Sequence, residues 1–166
     1  DDQYCLDGER LILIPGSGIH GKSGARYHTS TSLNSIVSIV GESGNGAEYF
    51  EIINASGRTL TYGNTSDSRL QRSGDNEYFS WHLKTVTDAY GNDMVYTYNL
   101  DKSEGEDYLD NVSYGQNSQY EIKFEYENRL GSLSGYKAET FYSVTRRLIG
   151  VTTLINAVES ANLTIT

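Results

Sequence analysis

Cysteine, proline, methionine and tryptophan each occur once in these 166 residues. With Cys5 alone, no internal disulfide can close and no thiolate cage can hold a metal. Pro15 alone leaves glycine and asparagine to set nearly all the turns. Cations are scarce as well: 13 Lys and Arg stand against 22 Asp and Glu, a net charge of −9. A nucleic-acid binder needs a positive face to displace counterions from phosphates, so that class is excluded, and anionic membrane surfaces are disfavoured on the same ground. No stretch approaches the roughly 18 apolar residues that cross a bilayer, so direct membrane insertion is not expected. The opening Asp1-Asp2-Gln3-Tyr4 has neither the basic start nor the apolar run of an export signal, which would have to lie outside this chain. Helical periodicity is missing too.

What is present is glycine, tyrosine and strand. Only 37% of residues are apolar, yet 14 tyrosines can build a core of large rings with wet hydroxyls. Runs at 10–14, 35–40, 49–53, 58–62, 94–98 and 120–126 read as strands bounded by Gly and Asn. Pro15-Gly16 ends the first and Gly41 closes the second, while 49–53 and 58–62 face each other across Asn54-Ala55-Ser56-Gly57 as a hairpin. Tyr120, Ile122, Phe124 and Tyr126 alternate with three charged residues, the pattern of a sheet with one wet side. The tail after Leu154 favours strand over helix, and Leu163-Thr164-Ile165-Thr166 stops inside a strand-like run, as in a piece of a longer protein.

An internal echo organises the chain. Leu83 to Asn92 leads into Met94-Val95-Tyr96-Thr97-Tyr98, and Leu109 to Gln116 leads into Tyr120–Tyr126. Each copy is a strand, a Tyr-Gly turn and a strand ending in an aromatic-x-Tyr, so repeat units are placed at 83–98 and 109–126 within one module, 1–166. The turn residues are Tyr90, Gly91 and Asn92, then Tyr114 and Gly115, with Tyr62-Gly63 as a degenerate third mark upstream. The marks fall 28 and then 24 residues apart, in the window of stacked repeats. A single hairpin cannot bury its own apolar face, so such units must stack edge to edge. The expected fold is all-β: antiparallel stacked hairpins forming a curved sheet.

These residues carry a family resemblance. Val86-Thr87-Asp88-Ala89-Tyr90-Gly91-Asn92 with Tyr96-Thr97-Tyr98 resembles the YD (Rhs) repeat. Tyr4 to Leu11, Ala47-Glu48-Tyr49-Phe50, Gly57-Arg58, Tyr62-Gly63, Trp81-x-Leu83 and Val144 to Leu148 resemble, in order, the SpvB-type N-terminal domain of insecticidal Tc toxin B components. The resemblance implies a β-sheet wall of a hollow shell that encloses a toxic C-terminal cargo. It implies no catalysis in this chain, secretion from a bacterial cytoplasm, and contacts with other regions of the same polypeptide and with partner toxin subunits. Two departures stand out: an acidic insert, Asp101 to Asp110, interrupts the repeat, and Gly131-Ser132-Leu133-Ser134-Gly135 replaces an expected strand.

Several motifs invite other chemistry. Gly16-Ser17-Gly18-Ile19-His20-Gly21-Lys22-Ser23 fits the phosphate-binding loop pattern at every fixed position, but Gly24 to Thr31 is a poor helix start. A plain turn is the better reading. His20, His28 and His82 lack ligand spacing. Asp101, Glu104, Glu106, Asp107 and Asp110 lack the order of a calcium loop, so a solvated acidic loop is expected. No metal and no cofactor are assigned. Tyr96, Tyr98, Tyr120, Phe124 and Tyr126 could form a platform for sugar rings, which makes a carbohydrate- or surface-binding module the alternative; a cross-strand packing ladder is the plainer reading.

Overall fold

A computed structural model of the chain describes residues 3–31, 36–44, 46–71, 77–101, 105–137 and 140–165. Asp1, Asp2, Ser35, Glu104 and Thr166, used in the readings above, lie outside them. The strands are β1 (Cys5–Leu6), β2 (Glu9–Leu13), β3 (Arg26–Thr29), β4 (Ile36–Ser43), β5 (Gly46–Ile53), β6 (Thr59–Tyr62) and β7 (Arg69–Gln71). They continue as β8 (Tyr78–Trp81), β9 (Leu83–Thr87), β10 (Asp93–Asp101), β11 (Glu106–Tyr114), β12 (Tyr120–Lys137), β13 (Thr140–Ile155) and β14 (Val158–Thr164). One 3₁₀ turn, Gln116–Ser118, is the helical element among the described residues.

Twelve strands form one open antiparallel sheet whose spatial order is the chain order, with β7 and β8 set aside as a separate hairpin. The all-β, antiparallel expectation holds. The pleat explains how so polar a sequence finds a core. Directly paired residues share a face. From β2 onward one paired row runs Leu13, Tyr27, Val37, Ile52, Leu60, Val86, Met94, Tyr114, Tyr120, Ile155, Val158, apolar or aromatic at every step. The neighbouring row faces the other way and reads Ser38, Glu51, Thr61, Thr85, Val95, Ser113, Glu121.

The apolar face is covered unevenly. At its N-terminal end Leu11, Tyr27, Val37, Ile39, Phe50 and Ile52 are buried, packed by Tyr4, Leu60, Tyr62 and Trp81. Toward the other edge the same face opens: Ile155 is 45% exposed and Val158 69%. Burying a side chain of this size fully is worth about 1.5–3 kcal/mol, so the folding energy is concentrated in the first half of the sheet.

Four expectations need correction. The 131–135 segment does not replace a strand, because β12 runs through it to Lys137. Four residues, 129–132, loop out opposite Thr145, and Gly131 at φ +94° permits the bulge. Gly135 stays in the strand because Tyr142 packs over it, where a Cβ would sit 3.0 Å from the phenolic oxygen. The acidic insert is not all loop either: β10 and β11 pair out to Asp101 and Glu106. Its acids are not all solvated, since Glu106 is buried and accepts the backbone N–H and hydroxyl of Thr145. Gly41 does not close its strand, because Glu42 and Ser43 continue the ladder against Ala47 and Gly46.

Candidate functional site

The candidate residues are those of the two segments, 83–98 and 109–126, that the sequence marks as repeat units, with their turns. The turn joining β9 to β10 is Asp88-Ala89-Tyr90-Gly91-Asn92. Asp88 Oδ1 accepts the N–H of Tyr90 at 2.8 Å and of Asn92 at 2.9 Å, while Asn92 Nδ2 donates to Asp88 Oδ2 at 2.8 Å. The Gly91 N–H closes on the Asp88 carbonyl, and Gly91 takes φ +82°, a left-handed conformation that costs glycine little. Those hydrogen bonds, from the Asn92 side chain first, hold the Asp88 carboxyl below its ordinary range. Tyr90 itself is 92% exposed.

A second turn has the same construction. In Asn54-Ala55-Ser56-Gly57-Arg58, Asn54 Oδ1 accepts the N–H of Ser56 at 3.1 Å and of Arg58 at 3.0 Å, and the Gly57 N–H closes on the Asn54 carbonyl. It joins β5 to β6 and lies beside the first, because β6 pairs with β9 and a Cβ on Gly57 would touch Ala89. The Tyr62-Gly63 mark falls elsewhere: Tyr62 ends β6, the Gly63 N–H bonds the His82 carbonyl, and the chain leaves the sheet for β7 and β8 before returning at Leu83. The Trp81 ring leaves no room for a Cβ at Gly63. Tyr114 and Gly115 stand at the β11–β12 connection, where the Tyr114 and Tyr120 rings stack at 5.2 Å and Gly115 at φ +82° lies under Tyr120.

The units also share a lock that sequence reading missed. In the first, the Tyr98 hydroxyl donates to the Leu83 carbonyl at 2.7 Å; in the second, Tyr126 donates to the Leu109 carbonyl at 2.9 Å. The residue before each leucine supplies a ring against the same tyrosine: His82 on Tyr98 at 4.9 Å, Tyr108 on Tyr126 at 5.1 Å. In both units the neighbouring ladder slips one residue immediately before that tyrosine, between Thr97 and Tyr98 and between Glu125 and Tyr126. So the last residue of each aromatic-x-Tyr ties the end of its unit back to the beginning. Burial, and then nearby anionic groups, push Tyr62 and Tyr98 up to about 12.

Polar groups join the β7–β8 excursion to the first unit. Lys84 Nζ lies 2.8 Å from Asp67 Oδ2, which also accepts the Tyr98 N–H. Burial alone would raise the Asp67 pKa, but Lys84, the Thr65 hydroxyl and that N–H together hold it low. His82 Nε2 meets Asp107 at 3.1 Å.

The phosphate-loop motif is occupied by the protein itself. No helix follows Lys22, the Gly21 N–H donates to the Tyr27 hydroxyl, the Ser23 N–H donates to Glu42, and Lys22 Nζ pairs with Glu42 at 3.3 Å. A carboxylate thus sits on the donors a phosphate would need. His20 packs on Tyr4 and Tyr27, and His28 bonds the Thr29 carbonyl. Among the described residues no three His, Cys, Asp or Glu side chains gather as a metal site.

Comparison with known proteins settles the class. The family model described as the Salmonella virulence plasmid 65 kDa B protein, SpvB, matches residues 25–145, and the chain belongs to that family. Among solved structures it resembles the N-terminal domain of the effector protein SpvB from Salmonella typhimurium strain LT2, with TM-score 0.69 and 14% identity over 89% of this chain and 67% of that one. It also resembles a chain in the crystal structure of TcdB2-TccC3-Cdc42, with TM-score 0.70 and 14% identity over 89% of this chain but only 10% of that one. At that identity the likeness is one of fold. No curated protein matches the sequence.

Proposed function

We propose that this chain is a non-catalytic structural module, one unit over 1–166 with YD-like repeats at 83–98 and 109–126, in a secreted bacterial toxin or virulence protein. It contributes a wall segment to a β-sheet shell around a toxic C-terminal cargo, in contact with other regions of the same polypeptide and with partner toxin subunits. The observation that carries the proposal is the apolar row across the open sheet, buried at one end and uncovered at the β13–β14 end. A wall that must pack something on its inner side has that distribution; a self-sufficient sandwich buries its apolar face throughout. The family membership and the fold shared with TcdB2-TccC3-Cdc42 support it. The four tyrosines that could have formed a sugar platform have partners within the sheet: Tyr98 and Tyr126 in the locks, Tyr120 against Tyr114, and the Tyr96 hydroxyl on Met94 Sδ. The test is made in the full-length parent protein. Ile155→Asp with Leu163→Asp should leave the secreted protein folded but expose its C-terminal segment to limited proteolysis. Unchanged protection of that segment, or catalytic turnover by the isolated module, sinks the proposal.

A further inference from the structure

Beyond Glu127 the β12–β13 ribbon runs on with no third strand paired to it among the described residues. β11 pairs with β12 only over Tyr120–Lys123, and β14 pairs with β13 only over Gly150–Ile155. From 128 to 137 with 140 to 147 opposite, no third strand pairs with either one among the described residues. The end of the β10–β11 hairpin lies along one side of the ribbon: a Cβ on Gly105 would sit 2.5 Å from the Phe141 carbonyl oxygen, and Ser143 is buried. A lone two-stranded ribbon is marginal in water, yet this one is held at its base. Glu106 takes Thr145, and the Arg146 N–H donates to the Tyr108 hydroxyl at 3.2 Å. Along it Leu130 is fully exposed on the bulge, and Leu133, Tyr136 and Phe141 are exposed too.

Charge says what it fits. Between Asn128 and Arg147 the sequence holds four cations and one carboxylate, net +3, so the rest of the chain carries −12 against the total of −9. Arg147 is paired with Glu127, whereas Arg129 and Arg146 have no carboxylate within ion-pair distance among the described residues. Arginine with exposed leucine and aromatics is the composition of an interface anchor rather than a solvated turn. We propose that this ribbon docks on the acidic body of a second copy of the chain. Each copy has both halves of the contact, so reciprocal docking closes a two-fold dimer. Overall repulsion between two copies does not prevent it. At physiological salt charges more than about 8 Å apart are screened, and only the groups at the contact count.

Sedimentation velocity over a concentration series, from physiological to molar salt, tests this on the whole chain. The expected result is a dimer at physiological salt that dissociates as salt rises. Arg129→Glu and Leu130→Ser, both on the exposed bulge, should each weaken it about tenfold or more while circular dichroism stays unchanged. Tyr90→Ser, exposed but outside the ribbon, should dimerise as the parent does. A monomer at every concentration overturns the proposal. So does association that grows with salt and ignores the bulge substitutions, which would place the contact at the β14 edge. Dimerisation absent while the chain floats with phosphatidylglycerol vesicles in an Arg129-dependent manner overturns it in favour of a membrane.

Discussion

Converting Tyr98 to Phe removes one oxygen and leaves the ring in place. The lost group is the donor to the Leu83 carbonyl, and the His82 ring contact survives. A hydrogen bond of this kind contributes about 0.5–1.5 kcal/mol net, and a carbonyl left without its partner adds more only where water cannot reach it. Tyr98 and Leu83 are half-buried, so water can partly replace the hydroxyl and the loss should be about 1 kcal/mol. Tyr126→Phe frees Leu109 in an equally half-buried setting and should cost the same. The two locks share no partner, so the double substitution should lose about 2 kcal/mol. For a chain of this length each kcal/mol lowers the melting temperature by about 2–4 °C. Urea unfolding followed by circular dichroism reads this as a shifted midpoint at constant slope. Tyr90→Phe is the control and should change nothing, its hydroxyl being in solvent. If Tyr98→Phe and Tyr126→Phe are as stable as the parent, the locks are incidental and tie nothing together.

Two further outcomes are expected. Tyr62 and Tyr98, pushed up to about 12, are favoured in their neutral form by the fold, so their contribution is intact below about pH 10 and is lost as pH rises from about 10 through 12. Tyrosinate absorbance should show late-ionising phenols released together with alkaline unfolding; a single titration of all tyrosines near 10 contradicts this. Lys22→Ala should leave the fold intact, and calorimetry should detect no ATP binding by either protein, since Glu42 already holds the loop's donors. Saturable binding lost in the variant would restore the phosphate site.

Strand content was readable because alternation reports a pleat directly: Tyr120, Ile122 and Phe124 against Glu121, Lys123 and Glu125 admit one geometry. The Asp88–Asn92 turn was readable as well, because Asp, Gly and Asn each answer a local backbone requirement. The hairpin at 54–58 was readable too, but its likeness to that turn was hidden, since Asn for Asp, Ser for Tyr and Arg for Asn keep the backbone hydrogen bonds while changing the letters. The tyrosine locks could not be read at all. They depend on which carbonyl lies across the sheet from Tyr98 and Tyr126, and a one-residue slip in the ladder decides that. The ribbon was obscured for the opposite reason: Gly131 and Gly135 look like loop residues, yet one permits a bulge and the other makes room for Tyr142.

Because the order of strands in the sheet is their order along the chain, nearly every pairing joins segments close in sequence. Such a topology has little loop entropy to pay before contacts form, unlike sandwiches whose sheets exchange distant strands. The buried end, β2 to β6, comes first in the chain and can serve as the template onto which later hairpins add one at a time. Folding can therefore proceed in the direction in which the chain is made, without waiting for its final residues. It also means that a hairpin gained or lost near β14 would leave the earlier pairings untouched, so a sheet of this kind can change length by insertion or deletion of whole hairpins.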